Sequence, residues 1–136
     1  MGIPRNKEIG KNTDATKKDS TALQGLQQNS ALGIIDLHQK CNCDLKITGG
    51  TEKGVHDTSF PENHETGHKV DFKRTSSLNA YVVKNLNLIG QGKYGYRYSE
   101  NQNIYSDEIG NTKGGSHWDI KFKENFNYKK PKKENL

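Results

Sequence analysis

His64-Glu65-Thr66-Gly67-His68-Lys69-Val70-Asp71-Phe72-Lys73 is the stretch from which the rest of the chain is read. From His68 to Lys73 polar and apolar residues alternate, the period of a strand with one buried face. Val70 and Phe72 share one side; Lys69, Asp71 and Lys73 share the other. His64 sits on the loop feeding that strand, and Gly67 permits a sharp turn between the two. Imidazole and carboxylate are both good zinc ligands, so His64 and Asp71 form a pair able to converge on one ion.

A second segment has the same character. His117-Trp118-Asp119-Ile120-Lys121-Phe122 alternates as a last strand, with Trp118, Ile120 and Phe122 on one face and His117, Asp119 and Lys121 on the other. It follows the Gly-rich turn 110–116. A third ligand from His117 would complete a set of three protein groups with a fourth position open to water, the requirement of a catalytic zinc site.

Around these two strands the remaining elements fall into place. Ser20 or Thr21 is the expected cap of a helix carrying Leu23, Leu26, Ala31, Leu32, Ile35 and Leu37 at a spacing near 3.6. Asp44 to Thr48 alternates as a strand, closed by Gly49-Gly50. Residues 51–65 form a long polar loop, a kind of segment that usually carries function. Ser76 or Ser77 is the expected cap of a short helix through Leu86. Tyr94 to Ser99 and Ile104 to Glu108 read as a hairpin. The tyrosines Tyr94, Tyr96, Tyr98 and Tyr105 are expected to pack on its surfaces, and Trp118 to be core. The class is α+β: a small antiparallel sheet with flanking helices.

The chain has 136 residues, 29% of them hydrophobic, with 14 glycines. Mean hydropathy is −1.03. So low a value predicts one small core with polar ends: a disordered segment 1–19, a domain 20–122 and a basic tail 123–136. Net charge is +5; much of the excess lies in Lys7, Lys11, Lys17 and Lys18 at one end and Lys129, Lys130, Lys132 and Lys133 at the other, read as solvated tails. No stretch reaches the roughly 18 apolar residues of a membrane span, and no membrane partner is expected. Met1 to Asp19 lacks the apolar core of a secretory signal. Cys41 and Cys43, one residue apart, are expected to be ordinary thiols at a helix end.

The segments Ile47-Thr48-Gly49-Gly50-Thr51-Glu52, His64-x-x-Gly67-x-x-x-Asp71 and His117-Trp118-Asp119 resemble the zinc D-Ala-D-Ala carboxypeptidases and L-alanyl-D-glutamate endopeptidases, which share the Hedgehog/DD-peptidase fold. The resemblance covers about Asp44 to Phe122, His-x6-Asp being its most specific element. It implies a zinc peptidase that hydrolyses peptidoglycan stem peptides at the bacterial cell wall, as part of a phage lysin or a secreted protein. His64, Asp71 and His117 match the zinc ligands. A monomer is expected, and nucleic acid is not the expected partner.

The chain departs from that pattern at instructive places. Glu62 stands where the family usually has Ser two before the first His, and Lys69 where it has a small residue two before the Asp. The acid that many members carry three before the last His is Gly114 here. Asp119, on the same face as His117, is the expected general base, with Asp107 and Glu108 as other candidates. A shifted register would instead make Asp119 the ligand and His117 an electrostatic helper. The family's substrate-gripping Arg after the first strand is replaced by Thr51-Glu52-Lys53, leaving Lys53, His56 or Arg74 to hold a substrate carboxylate. His56 and Arg74 are the residues named for this. His68 is expected to pack or be exposed, and His38 has no role. Two rival readings are a zinc-stabilised binding module without catalysis, and a toxin or nuclease domain with a His/Asp metal site.

Overall fold

The computed structural model describes residues 23–112 and 115–123. Segment 1–19, all but the first residue of the tail 123–136, the candidate caps Ser20 and Thr21, and Gly114 lie outside them. In chain order the elements are α1 (Gln28–Cys41), β1 (Ile47–Gly49), β2 (Lys69–Lys73), α2 (Ser76–Asn85), β3 (Asn87–Gln91), β4 (Tyr96–Glu100), β5 (Asn103–Asp107) and β6 (His117–Lys121). The six strands form one antiparallel sheet in the order β1-β2-β6-β5-β4-β3. With two helices beside an antiparallel sheet the class is α+β.

Strands β2 and β6 pair at the centre, Val70 opposite Ile120 and Phe72 opposite Trp118. All four side chains are buried, together with Ile47 and Tyr105 from the same sheet. Ile34 and Leu37 of α1 and Leu78 and Val82 of α2 join them in a single cluster. Each such aliphatic or aromatic side chain contributes roughly 1.5–3 kcal/mol by leaving water. Trp118 is core, and its indole N–H donates to Asn79 Oδ1 of α2 at 2.7 Å. Period-2 alternation thus puts His117 and Asp119 on the face opposite the helices, beside Asp71.

The helices differ from expectation at their starts. Gly25 has φ +82, which interrupts the helical run that Leu23 and Leu26 suggest, and α1 begins at Gln28. Its entry is anchored by tertiary bonds: the Gln27 N–H donates to Gly67 O at 3.1 Å and Gln27 Nε2 to Thr66 O at 3.0 Å. The cap of α2 is Thr75, whose Oγ1 accepts the Leu78 N–H; Ser77 Oγ instead accepts the Asp44 N–H at 2.9 Å. Cys41 and Cys43 form a disulfide rather than remaining thiols. Asn42 between them, the C-cap of α1, takes the left-handed conformation at φ 47. That turns the chain enough to bring the two Cα atoms to 5.0 Å, within the range a bridge spans.

The first strand is shorter and later than Asp44 to Thr48, because pairing with β2 selects Ile47 to Gly49. β3 is the strand the sequence did not announce: all five residues are exposed at the sheet edge, so it shows no alternation. The hairpin β4–β5 turns on Asn101 and Gln102, both at positive φ. Tyr105 is buried beneath it, Tyr98 packs edge-on against Trp118, and Tyr96 is exposed. No helix among the described residues is long and apolar enough to cross a membrane.

Candidate metal centre

The polar face of the sheet is organised in rows. Gly49 of β1, Asp71 of β2, Asp119 of β6, Ser106 of β5 and Arg97 of β4 stand side by side across the strands. One row along, Lys73 faces His117, and the Glu108 N–H donates to His117 O. His64 comes over this face from the loop before β2. The turn that delivers it is closed by Gly67 N–H to His64 O and His68 N–H to Asn63 O, each 3.0 Å.

Two glycines of the quoted motifs are required by close approach. Gly67 has φ +83, and a Cβ there would strike the backbone of Gly25, Leu26 and Gln27; its carbonyl takes the Ser30 hydroxyl at 2.6 Å. At Gly49 a Cβ would lie 2.7 Å from Asp71 Oδ2. The absence of a side chain on β1 is what lets the Asp71 carboxylate lie over it.

His64 Nε2 lies 3.2 Å from Asp71 Oδ1, and His117 Nε2 lies 3.5 Å from the same oxygen. The edge of a tetrahedron built from zinc bonds of about 2.0–2.1 Å is roughly 3.3–3.4 Å, so each imidazole stands at a ligand-like separation from the Asp71 oxygen. The far nitrogen of each ring is tied to a carbonyl: His64 Nδ1 to Gly50 O at 3.1 Å and His117 Nδ1 to Gly115 O at 2.7 Å. A carbonyl only accepts, so each Nδ1 carries the proton and each Nε2 faces the centre. This is the outer support found behind metal-binding histidines.

Asp119 Oδ1 is 3.6 Å from His64 Nε2, and Glu108 Oε1 is 3.2 Å from His117 Nε2. Asn111 Nδ2 donates to the same Glu108 oxygen at 2.9 Å. Lys69 Nζ stands 3.6 Å from Asp119 Oδ2. Among the described residues four buried side-chain atoms have no hydrogen-bond partner: His56 Nε2, His68 Nε2, Asp71 Oδ1 and Asp119 Oδ1. Both unpartnered carboxylate oxygens are close to His64 Nε2, Asp71 Oδ1 at 3.2 Å and Asp119 Oδ1 at 3.6 Å, without making a hydrogen bond to it. Buried polar atoms are almost always paired, and an ion is one standard reason for an exception. The donor set fits a cation.

His56, His64 and Asp71 also offer ligand atoms within 4.8 Å of one another. His56, however, stacks on His64 with ring centroids 3.8 Å apart and planes at 14°. A ring nitrogen's lone pair lies in the ring plane. An ion in the plane of His64 therefore sits about a stacking distance out of the plane of His56. With its ring stacked this way, His56 flanks His64 rather than sharing an in-plane ion with it, while His117 reaches the same Asp71 oxygen from β6. The Nε2 of His56 faces Glu52 Oε1 at 3.5 Å.

Electrostatics follow from these distances. Burial disfavours charge on His64, but Asp71 and Asp119 outweigh it and hold its pKa up at about 10. Burial acts likewise on His117, and Glu108 and Asp71 raise it to about 9. Asp119 is pushed up by burial and brought down to about 2 by His64, Lys69 and His117. The cluster thus demands positive charge at its centre.

The centre lines an open cleft of about 750 Å³, whose walls also carry Lys69, Lys73, Lys93, Arg97 and His56. Arg74 is engaged elsewhere. Its Nε and Nη2 donate to the two Asp107 oxygens at 2.9 and 3.2 Å, and it lies over the Trp118 ring. Arg74, expected as a substrate cation, is thus not among the residues lining the cleft, and Asp107, which does line it, is paired with Arg74. Arg97 was legible in retrospect: in Tyr96-Arg97-Tyr98 it alternates onto the Asp119 face. His68 is buried with Nδ1 2.9 Å from Thr66 Oγ1, and stabilises the turn. No protein-family model, curated protein or solved structure matches the chain.

Proposed function

We propose that the chain is a zinc-dependent peptidase of the Hedgehog/DD-peptidase type, hydrolysing peptidoglycan stem peptides at the bacterial cell wall. The observation that supports this reading is that His64 Nε2 and His117 Nε2 both approach Asp71 Oδ1, at 3.2 and 3.5 Å, in the lining of an open cleft. His64, Asp71 and His117 would hold the ion. Two imidazoles and a carboxylate suit zinc better than magnesium or calcium, which favour oxygen alone.

Zinc held there supplies Lewis-acid polarisation and lowers the pKa of water to about 7. The protein's part is to position and to move protons. Asp119 and Glu108 are the carboxylates beside the two imidazoles. Asp119 is the residue the sequence singles out as proton acceptor. Glu108, steadied by Asn111, stands in for the acid that Gly114 lacks. Such a carboxylate takes a proton from water and returns it to the leaving amine. Lys73, Lys93 and Arg97 line the cleft and offer charge to the free carboxylates of wall peptides, with His56 on the near wall.

The test has two stages. Elemental analysis should give about one zinc per chain, lost in His64→Ala, Asp71→Ala and His117→Ala. The zinc-loaded protein should then release new amino groups from peptidoglycan fragments. Zinc without hydrolysis selects the non-catalytic module, and no zinc in folded protein removes the peptidase reading.

A further inference from the structure

Glu52 is 3% exposed, near the start of a loop whose middle, from Lys53 to Glu62, is largely at the surface. A buried carboxylate is destabilising unless it is paired and hydrogen-bonded. Both its oxygens accept the Gly50 N–H, at 2.7 and 2.8 Å, and Oε1 lies 3.5 Å from His56 Nε2. The carbonyl of the same Gly50 accepts Nδ1–H of His64 at 3.1 Å. Gly50 is therefore gripped by Glu52 on its N–H and grips His64 with its C=O. Those two groups belong to adjoining rigid peptide planes with only two soft torsions between them. Without a side chain Gly50 is free to swing, and holding its N–H restricts where its carbonyl points. His56 completes the arrangement, in contact with Glu52 on one side and stacked 3.8 Å from His64 on the other.

We propose that Glu52 is a positioning residue for His64: through Gly50 it fixes the orientation and protonation of the imidazole so that Nε2 is presented to the metal. The inference rests on the zinc reading above. It gives a role to a residue in the stretch Thr51-Glu52-Lys53, where the resemblance implies a substrate-binding cation just after the first strand. What matters is the hydrogen-bond acceptor at the end of the side chain, so neutral Gln should serve and the shorter Asp should not.

The experiment measures zinc affinity by competition with a chromophoric chelator for wild type, Glu52→Ala, Glu52→Gln and Glu52→Asp. Visible spectra of the cobalt-substituted proteins report ligand geometry. Partners that orient metal ligands are typically worth about 10–100-fold in affinity, so Glu52→Ala and Glu52→Asp should weaken zinc by that factor and alter the cobalt bands. Glu52→Gln should stay near wild type in both. Zinc-loaded wild type should also show by NMR a His64 Nδ1–H proton slow to exchange and coupled across its bond to the Gly50 carbonyl, a readout that needs no variant to fold. Wild-type affinity and spectra in all variants, a Gln variant as weak as Ala, or absence of that proton signal would overturn the inference while leaving the metal site standing. A folded wild type that takes up neither zinc nor cobalt overturns the metal reading and this inference with it.

Discussion

Raising the pH from about 6.5 to about 8.5 is expected to strengthen zinc binding by about 100-fold per pH unit, because two protons must leave for each ion bound. The protons are those on His64 and His117, whose pKa values are raised from the ordinary 6.5 to about 10 and about 9. Both rings are protonated on Nε2 throughout that interval, since each Nδ1 proton is committed to a carbonyl. Above about 9 the dependence should fall to roughly tenfold per unit and vanish near 10. Ordinary histidines would instead flatten the curve just above 6.5. The assay is chelator competition at several pH values, with proton release counted by calorimetry in buffers of different ionisation enthalpy. Release of fewer than one proton at pH 8, or an affinity that levels off near pH 7, would refute the argument. The metal-free protein should behave oppositely. Groups whose folded pKa is raised contribute stability that is fully present below the unfolded value of about 6.5. That contribution is lost as pH climbs through about 9 and about 10, so the metal-free melting temperature should fall from neutral to alkaline pH.

Gly49→Ala sets a Cβ 2.7 Å from Asp71 Oδ2; overpacking of this kind costs about 1–3 kcal/mol, and zinc affinity should drop as the carboxylate is displaced, read by thermal melts and chelator competition. Arg97→Ala should leave zinc content and kcat unchanged while raising KM roughly tenfold for peptides with a free carboxylate, about the worth of one charged hydrogen bond, and should not affect amidated peptides. Of Asp119→Asn and Glu108→Gln, the one that keeps zinc yet loses about 100-fold or more in kcat identifies the proton acceptor. Trp118→Ala empties the centre of the core and removes the bond to Asn79; denaturant unfolding should show a loss of about 3–5 kcal/mol.

The central pair of strands was legible because alternation is a local signal that the buried face enforces. Val70, Phe72, Trp118 and Ile120 had to face one way, which placed Asp71, His117 and Asp119 together on the other. What could not be read was decided by contacts distant in sequence. β3 is an exposed edge strand held by β4 alone, so no burial pattern marks it. Arg74 looked available until pairing of β6 with β5 set Asp107 under it. Glu52 seemed a loop acid because its partner is a backbone N–H, which leaves no trace in a sequence. The disulfide depended on the conformation of Asn42, not on the spacing of the cysteines.

The charge balance of the centre explains why the same geometry suits two occupants. Asp71, Asp119 and Glu108 bring three negative charges to the two imidazoles, and Lys69 returns one positive charge. Two charges remain to be neutralised in a largely buried place, where leaving them uncompensated is strongly destabilising. A proton on each Nε2 does this in the metal-free protein. One divalent cation with both rings neutral does the same. Exchange of two protons for one ion therefore leaves the net charge of the cluster unchanged and requires no rearrangement of Lys69. A monovalent ion would leave the balance one charge short, and a trivalent ion would exceed it. Substituting Lys69→Met removes the returned charge from both states alike, so zinc affinity near neutral pH should stay close to wild type while both the protons and the ion are held more tightly. Chelator competition at fixed pH reads this directly: weaker zinc binding in Lys69→Met would mean that Lys69 places Asp119 rather than balancing it.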